Sequence, residues 1–197
     1  ELPDQIESVA IAPDSTWVAI AHGQRLTIVN LAERRVLHRH TIASTIHSMQ
    51  AINADSLFAA CEDGALRRIS IIDGKVTLSI ACDPQPLSAV KLSPDGNTVA
   101  VGGTNVASIL DAKTGRLRAK LPQQTTIDTL LFLDNGRRLL TNDHTPRTRL
   151  WDLDSYQYVG TLEPFDFESN IVASADGLRL CCRTYGYHLL LLDARPR

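Results

Sequence analysis

The stretch Ala89-Val90-Lys91-Leu92-Ser93-Pro94-Asp95-Gly96-Asn97-Thr98-Val99-Ala100-Val101 decides how the rest of the chain is read. Two short apolar runs, 89–92 and 98–101, flank a Ser-Pro-Asp-Gly turn. Proline presets φ at the second turn position, aspartate bonds back to nearby backbone, and glycine accepts a positive φ. The arrangement returns as Ala12-Pro13-Asp14-Ser15, Ala54-Asp55-Ser56, Leu133-Asp134-Asn135-Gly136 and Ala175-Asp176-Gly177. The aspartates fall at 14, 55, 95, 134 and 176, in steps of 41, 40, 39 and 42. Short apolar strands precede these turns at 9–11, 48–52, 89–92, 130–133 and 171–173, and others follow at 17–21, 57–61, 98–101, 138–141 and 179–182. Each aspartate therefore reads as a hairpin cap rather than a catalytic acid.

A third strand is expected in every unit, at 26–31, 66–72, 107–111, 148–153 and 188–193. After a polar turn such as Asp73-Gly74-Lys75 comes a fourth, at 36–41, 76–81, 117–121 and 158–162. Four short strands in roughly 40 residues, repeated, are the signature of a β-propeller blade. No helical periodicity competes. The expected fold is all-β, a propeller of four-stranded antiparallel blades at 6–42, 43–82, 83–122, 123–163 and 164–197, the last lacking its outer strand.

Arg149-Leu150-Trp151-Asp152 and Ser93-Pro94-Asp95-Gly96 carry a resemblance to the WD-repeat family. The Trp-Asp position holds Val29-Asn30, Leu110-Asp111 and Leu192-Asp193 in other units, so the acid persists better than the tryptophan. No unit has the family's Gly-His before its first strand. The chain is also similar to bacterial propellers of the Tyr-Val-Thr-Asn type. The resemblance implies a scaffold for assembly, or a sensor at the end of a multidomain protein. Because the first unit starts at its innermost strand, the expectation is part of a larger ring of about six to eight blades. Upstream residues or a second chain would complete it. A self-contained five-bladed ring is the rival.

Composition narrows the function. With 20 Lys plus Arg against 22 Asp plus Glu, the net charge is −2, unlike the basic domains that bind nucleic acid. Purely apolar runs, 189–192 among them, are short, and none approaches the roughly 20 residues needed to span a bilayer. Cys61, Cys82, Cys181 and Cys182 form no Cys-x-x-Cys and read as buried reduced thiols, which favours a cytoplasmic setting. No nucleophile elbow, phosphate loop or dinucleotide fingerprint is present. The six histidines occupy no equivalent positions in adjacent units, so neither metal nor cofactor is expected.

Loops joining second to third strands, and those between blades, share one face and are the expected functional surface. Its binding candidates are Phe165, Phe167, Tyr185 and Tyr187, since exposed aromatics anchor interfaces, together with His144 and Arg147. Arg67-Arg68 and Arg147/Arg149 read as rim charges that block edge-to-edge pairing. The expected function is a non-catalytic protein-interaction or sensing scaffold. The alternative is an enzyme or small-ligand binder using the central channel, with Glu62, Asp63, Asp143 or His144 as ligands.

Overall fold

The computed structural model describes residues 5–143, 148–162, 167–174, 177–184 and 189–193. They are all-β; the helical element among them is a three-residue 3-10 turn, Asp134–Gly136. No helix among the described residues is long and apolar enough to cross a membrane. The chain forms two compact units, Glu1–Val90 and Lys91–Arg197.

The first unit holds two four-stranded antiparallel sheets in simple up-and-down order. One comprises β1 (Ser8–Ile11), β2 (Trp17–His22), β3 (Arg25–Asn30) and β4 (Arg35–Thr41). The other comprises β5 (Ile46–Asn53), β6 (Ser56–Cys61), β7 (Ala65–Ser70) and β8 (Val76–Ala81). In β2 and β6 the runs Val18-Ala19-Ile20-Ala21 and Leu57-Phe58-Ala59-Ala60 are interior strands, while β4 and β8 are mostly exposed. Charged outer strands such as Arg35-Val36-Leu37-His38-Arg39 discourage pairing with another chain.

The sheets pack face to face. Ala10, Ala19 and Ile28 of the first meet Met49, Ala51, Leu57, Ala59 and Ile69 of the second in one core. Alanines on the first sheet leave room for the larger side chains opposite, so backbones approach closely. Two further contacts tie the sheets together. The Ser8 hydroxyl accepts the Met49 N–H at 2.9 Å, and Trp17 Nε1 donates to the Ala54 carbonyl at 2.5 Å. Within the same unit the Ser48 hydroxyl likewise accepts the Val90 N–H at 3.3 Å.

The second unit carries a seven-stranded sheet in the order β15-β14-β13-β12-β11-β10-β9 and a three-stranded one in the order β16-β17-β18. Their strands are β9 (Ala89–Leu92, which the unit boundary divides), β10 (Thr98–Gly102), β11 (Thr104–Asp111), β12 (Leu117–Leu133), β13 (Arg138–Asp143), β14 (Thr148–Asp152), β15 (Gln157–Leu162), β16 (Phe167–Ala173), β17 (Arg179–Thr184) and β18 (Leu189–Asp193). Two strands expected separately, 117–121 and 130–133, are the ends of the 17-residue β12. Its first half pairs with β11 and its second with β13. The connection stays extended because Thr126 still pairs with Thr104. Leu133 and Leu140 pack on Ile171 and Leu180 of the last sheet.

The turns follow their side chains. Asp95 accepts the Asn97 N–H at 3.0 Å and the Ser93 hydroxyl, and Ser93 Oγ accepts the Thr98 N–H at 2.9 Å. Asp14 takes the same part through Thr16. In the second sheet the cap is Asn53, not Asp55: Asn53 Oδ1 accepts the Asp55 N–H and the Ser56 hydroxyl. That hairpin is shorter, so the acceptor sits two residues before the aspartate. The fourth hairpin closes as the 3-10 turn, with the Arg137 N–H on the Asp134 main-chain carbonyl at 3.0 Å. Asp176 lies outside the described residues.

Candidate functional site

Two arginines on third strands share one register position near the ends of the preceding second strands. Arg67 sits opposite Ala59 in β7, and Arg149 opposite Thr141 in β14. Both are buried rather than on the outer rim. The third strand is interior to its sheet, so a charge there must be paired to be tolerated. The same position holds Thr27 and Ser108 in the other four-stranded repeats, also buried.

In the first unit Arg67 forks onto Asp63, Nη1 donating to Oδ1 at 2.8 Å and Nη2 to Oδ2. Asp63 also takes the Ala65 N–H at 3.3 Å, and its own N–H donates to Ser44 Oγ at 3.1 Å. Arg67 holds the Asp63 carboxyl below its ordinary value, and Asp63 in turn pushes the guanidinium up. Burial raises the neighbouring Cys61 thiol, against the pull of Arg67, which makes it an inert core group.

In the second unit Arg149 Nη1 donates to Asp143 Oδ2 at 2.6 Å and to Gln123 Oε1 at 2.8 Å. Gln123 comes from the extended middle of β12, so this network joins the end of β13 to the segment that links successive repeats. Trp151, two residues on, donates from Nε1 to Thr141 Oγ1 at 3.0 Å and stacks edge-on against Tyr158, centroids 5.6 Å apart. The side chain of Asp143 is fully buried, whereas that of Asp63 is 43% exposed.

Asp63 and Asp143, the acids weighed as cation ligands, are thus each engaged by an arginine. Among the described residues no three of His, Cys, Asp and Glu come together to hold a metal. Phe165, Tyr185, Tyr187, His144 and Arg147 lie outside the described residues. Phe167 opens β16, its backbone opposite Thr184. The expected aromatic surface thus falls almost wholly outside the described residues. Arg67, Arg149 and Gln123 were missed as a site. The available signal was an arginine at an interior third-strand position preceded by an aspartate near the turn.

A second feature is a cleft of about 360 Å³ in the second unit, lined by Lys91, Leu92, Leu131, Phe132, Ile171 and Val172 among others. Its walls are the first strands of three successive repeats. No protein-family model matches the chain, and no curated protein matches it.

Proposed function

We propose that this chain is a non-catalytic interaction or sensing scaffold of the WD-repeat β-propeller type. It presents its turn face to a protein partner or to another domain of the same protein, in the cytoplasm, without nucleic acid or membrane. The observation that carries this reading is the pair of buried arginines, Arg67 and Arg149, at one register position beneath the turns of that face. Ion pairs placed there stiffen loops without consuming their exposed residues, as a recognition surface requires. The hydrogen bond from Trp151 to Thr141 supports the family resemblance, since it gives the tryptophan of the Trp-Asp motif an anchoring part within its own sheet.

The test is selection of a displayed peptide library against the folded chain. Binding of the enriched peptides is then measured on Phe165→Ala, Phe167→Ala, Tyr185→Ala and Tyr187→Ala. An anchor loses roughly 2 kcal/mol or more, about thirtyfold in affinity, while the unfolding midpoint holds. Failure to enrich any peptide, or binding indifferent to all four changes, would sink the reading. The cleft favours the small-ligand alternative. A compound that raises the unfolding midpoint, and ceases to do so in Leu131→Lys, would decide for it.

A further inference from the structure

The outer strands of the repeats differ in the charge they carry. β8 holds no charged residue, and Lys75 just before it is paired with Asp73 at 2.9 Å. β4 pairs its Arg35 with Glu33. The start of β12 and the turn before it are different. There Lys113, Arg116, Arg118 and Lys120 follow one another with no acid between them, in a chain whose net charge is −2.

Arg118 is engaged within its own sheet. Its Nη2 donates to Asp111 Oδ2 at 2.7 Å and its Nη1 to Thr98 Oγ1 at 2.9 Å, which lays the guanidinium across the strands. Asp111 also accepts the N–H groups of Lys113 and Thr114, so its carboxylate is occupied by the turn. Lys113, Arg116 and Lys120 are exposed, and their side chains make no ion pair among the described residues. Beside them Asp111, Thr114, Arg116, Leu117 and Arg118 line an open cleft of about 510 Å³. Leu117 offers it an apolar wall, 46% exposed.

The backbone at the same place is a free strand edge. Residues 117–121 pair with β11, and β12 meets β13 from Ile127 onward. The other side of 117–121 therefore has no strand beside it among the described residues. An edge of this kind is a template for a further strand, held by main-chain hydrogen bonds. Its charge selects what is added. A second copy of the same edge brings like charges and is repelled, and a neutral strand would strip water from the cations without replacing it. A strand that brings carboxylates meets neither obstacle. Pro122 has no N–H to give, which bounds the edge at that end.

We propose that the outer edge of β12 at 117–121 takes up an extended acidic segment of a partner protein as an added strand. Its carboxylates meet Arg116 and Lys120, and one of its apolar side chains enters the cleft against Leu117. None of the residues on which the turn-face reading depends takes part, so the proposal goes beyond that reading to a second surface.

Fluorescence anisotropy of a labelled heptapeptide of alternating glutamate and valine, titrated with the full chain, tests this. Saturable binding is expected, with a lysine-for-glutamate counterpart at least tenfold weaker. Arg116→Glu combined with Lys120→Glu should weaken binding at least tenfold. Circular dichroism and the unfolding midpoint should match the parent, since neither side chain has an ionic partner to lose. Should that variant misfold, Arg116→Gln with Lys120→Gln reads the same loss without reversing the charge. Two N-methylated peptides separate strand addition from plain charge attraction, one methylated at every valine and one at every glutamate. Alternate amides of a strand face opposite edges, so one peptide should lose binding and the other keep it. Equal behaviour of the two overturns the proposal. So does a heptapeptide that fails to bind, or a double variant that binds like the parent. An oligonucleotide of equal charge that binds more tightly than the peptide overturns it as well, in favour of nucleic acid. Peptide selection on the aromatic variants reads other residues, so the two readings fail separately.

Discussion

The two buried arginines differ in what surrounds their partners, and the difference sets what each is worth. Asp143 is fully sealed, so Arg149→Met removes its guanidinium partner from a carboxylate that water does not reach. That change should lower the unfolding free energy by about 3–5 kcal/mol. Asp63 is 43% exposed and can rehydrate, so Arg67→Met should cost nearer 1 kcal/mol. Denaturant titration of both variants checks the ranking; equal costs would mean the burial difference has no energetic consequence. Gly64 makes a different demand. It turns at φ +75, and a Cβ there would lie 1.8 Å from the Asp83 carbonyl oxygen. Its own carbonyl accepts the Cys82 and Asp83 N–H groups, so the clashing strand end is tied down and does not retreat. Gly64→Ala should therefore cost about 3 kcal/mol or more, readable as a lower denaturant midpoint.

At the scale of the element, the persistence of aspartate at the end of the third strand has a plain cause. Asp111 Oδ1 accepts the N–H groups of Lys113 and Thr114, Asp152 Oδ1 that of Ser155, and Asn30 Oδ1 that of Glu33. A short acceptor at this place closes the turn into the fourth strand whether or not tryptophan precedes it. The serine contacts between first strands are also an element-scale device. Ser48→Ala should leave both sheets intact, cost about 1 kcal/mol, and speed exchange of the Val90 amide. An unchanged Val90 exchange rate would show that the hydroxyl does not hold that amide. The strands themselves were legible because alternation and turn chemistry are local. The merging of two expected strands into β12 was not, because Thr126 stays extended only through pairing with Thr104, twenty-two residues earlier.

For the whole molecule, the net charge of −2 conceals a group of carboxylates tuned by their turns. Asp63 lies below its ordinary 3.8 chiefly through Arg67, Asp14 through the Thr16 hydroxyl, and Asp95 through the Ser93 hydroxyl. A carboxyl whose folded value lies below its unfolded one contributes stability above the unfolded value and loses it as pH falls through the folded one. Unfolding free energy should thus be level in these groups above about pH 5 and decline below about pH 4. Asp63→Asn should make that decline shallower, and an identical pH profile would count against the Asp63–Arg67 assignment.

The sequence by itself determined the repeat, the strand order within each sheet, most strand positions and the inward-facing Cys61, because period-two alternation and turn residues act over a few bonds. It also carried the hairpin caps at Asp14 and Asp95. Only the tertiary structure decided that Arg67 and Arg149 are buried and that Asn53 replaces Asp55 as a cap. An arginine on an interior strand looks like one on a rim until its carboxylate is seen to arrive from the neighbouring turn. Met49 is likewise a plain apolar residue in the sequence, and only the sheet β1–β4 packed against it makes it core.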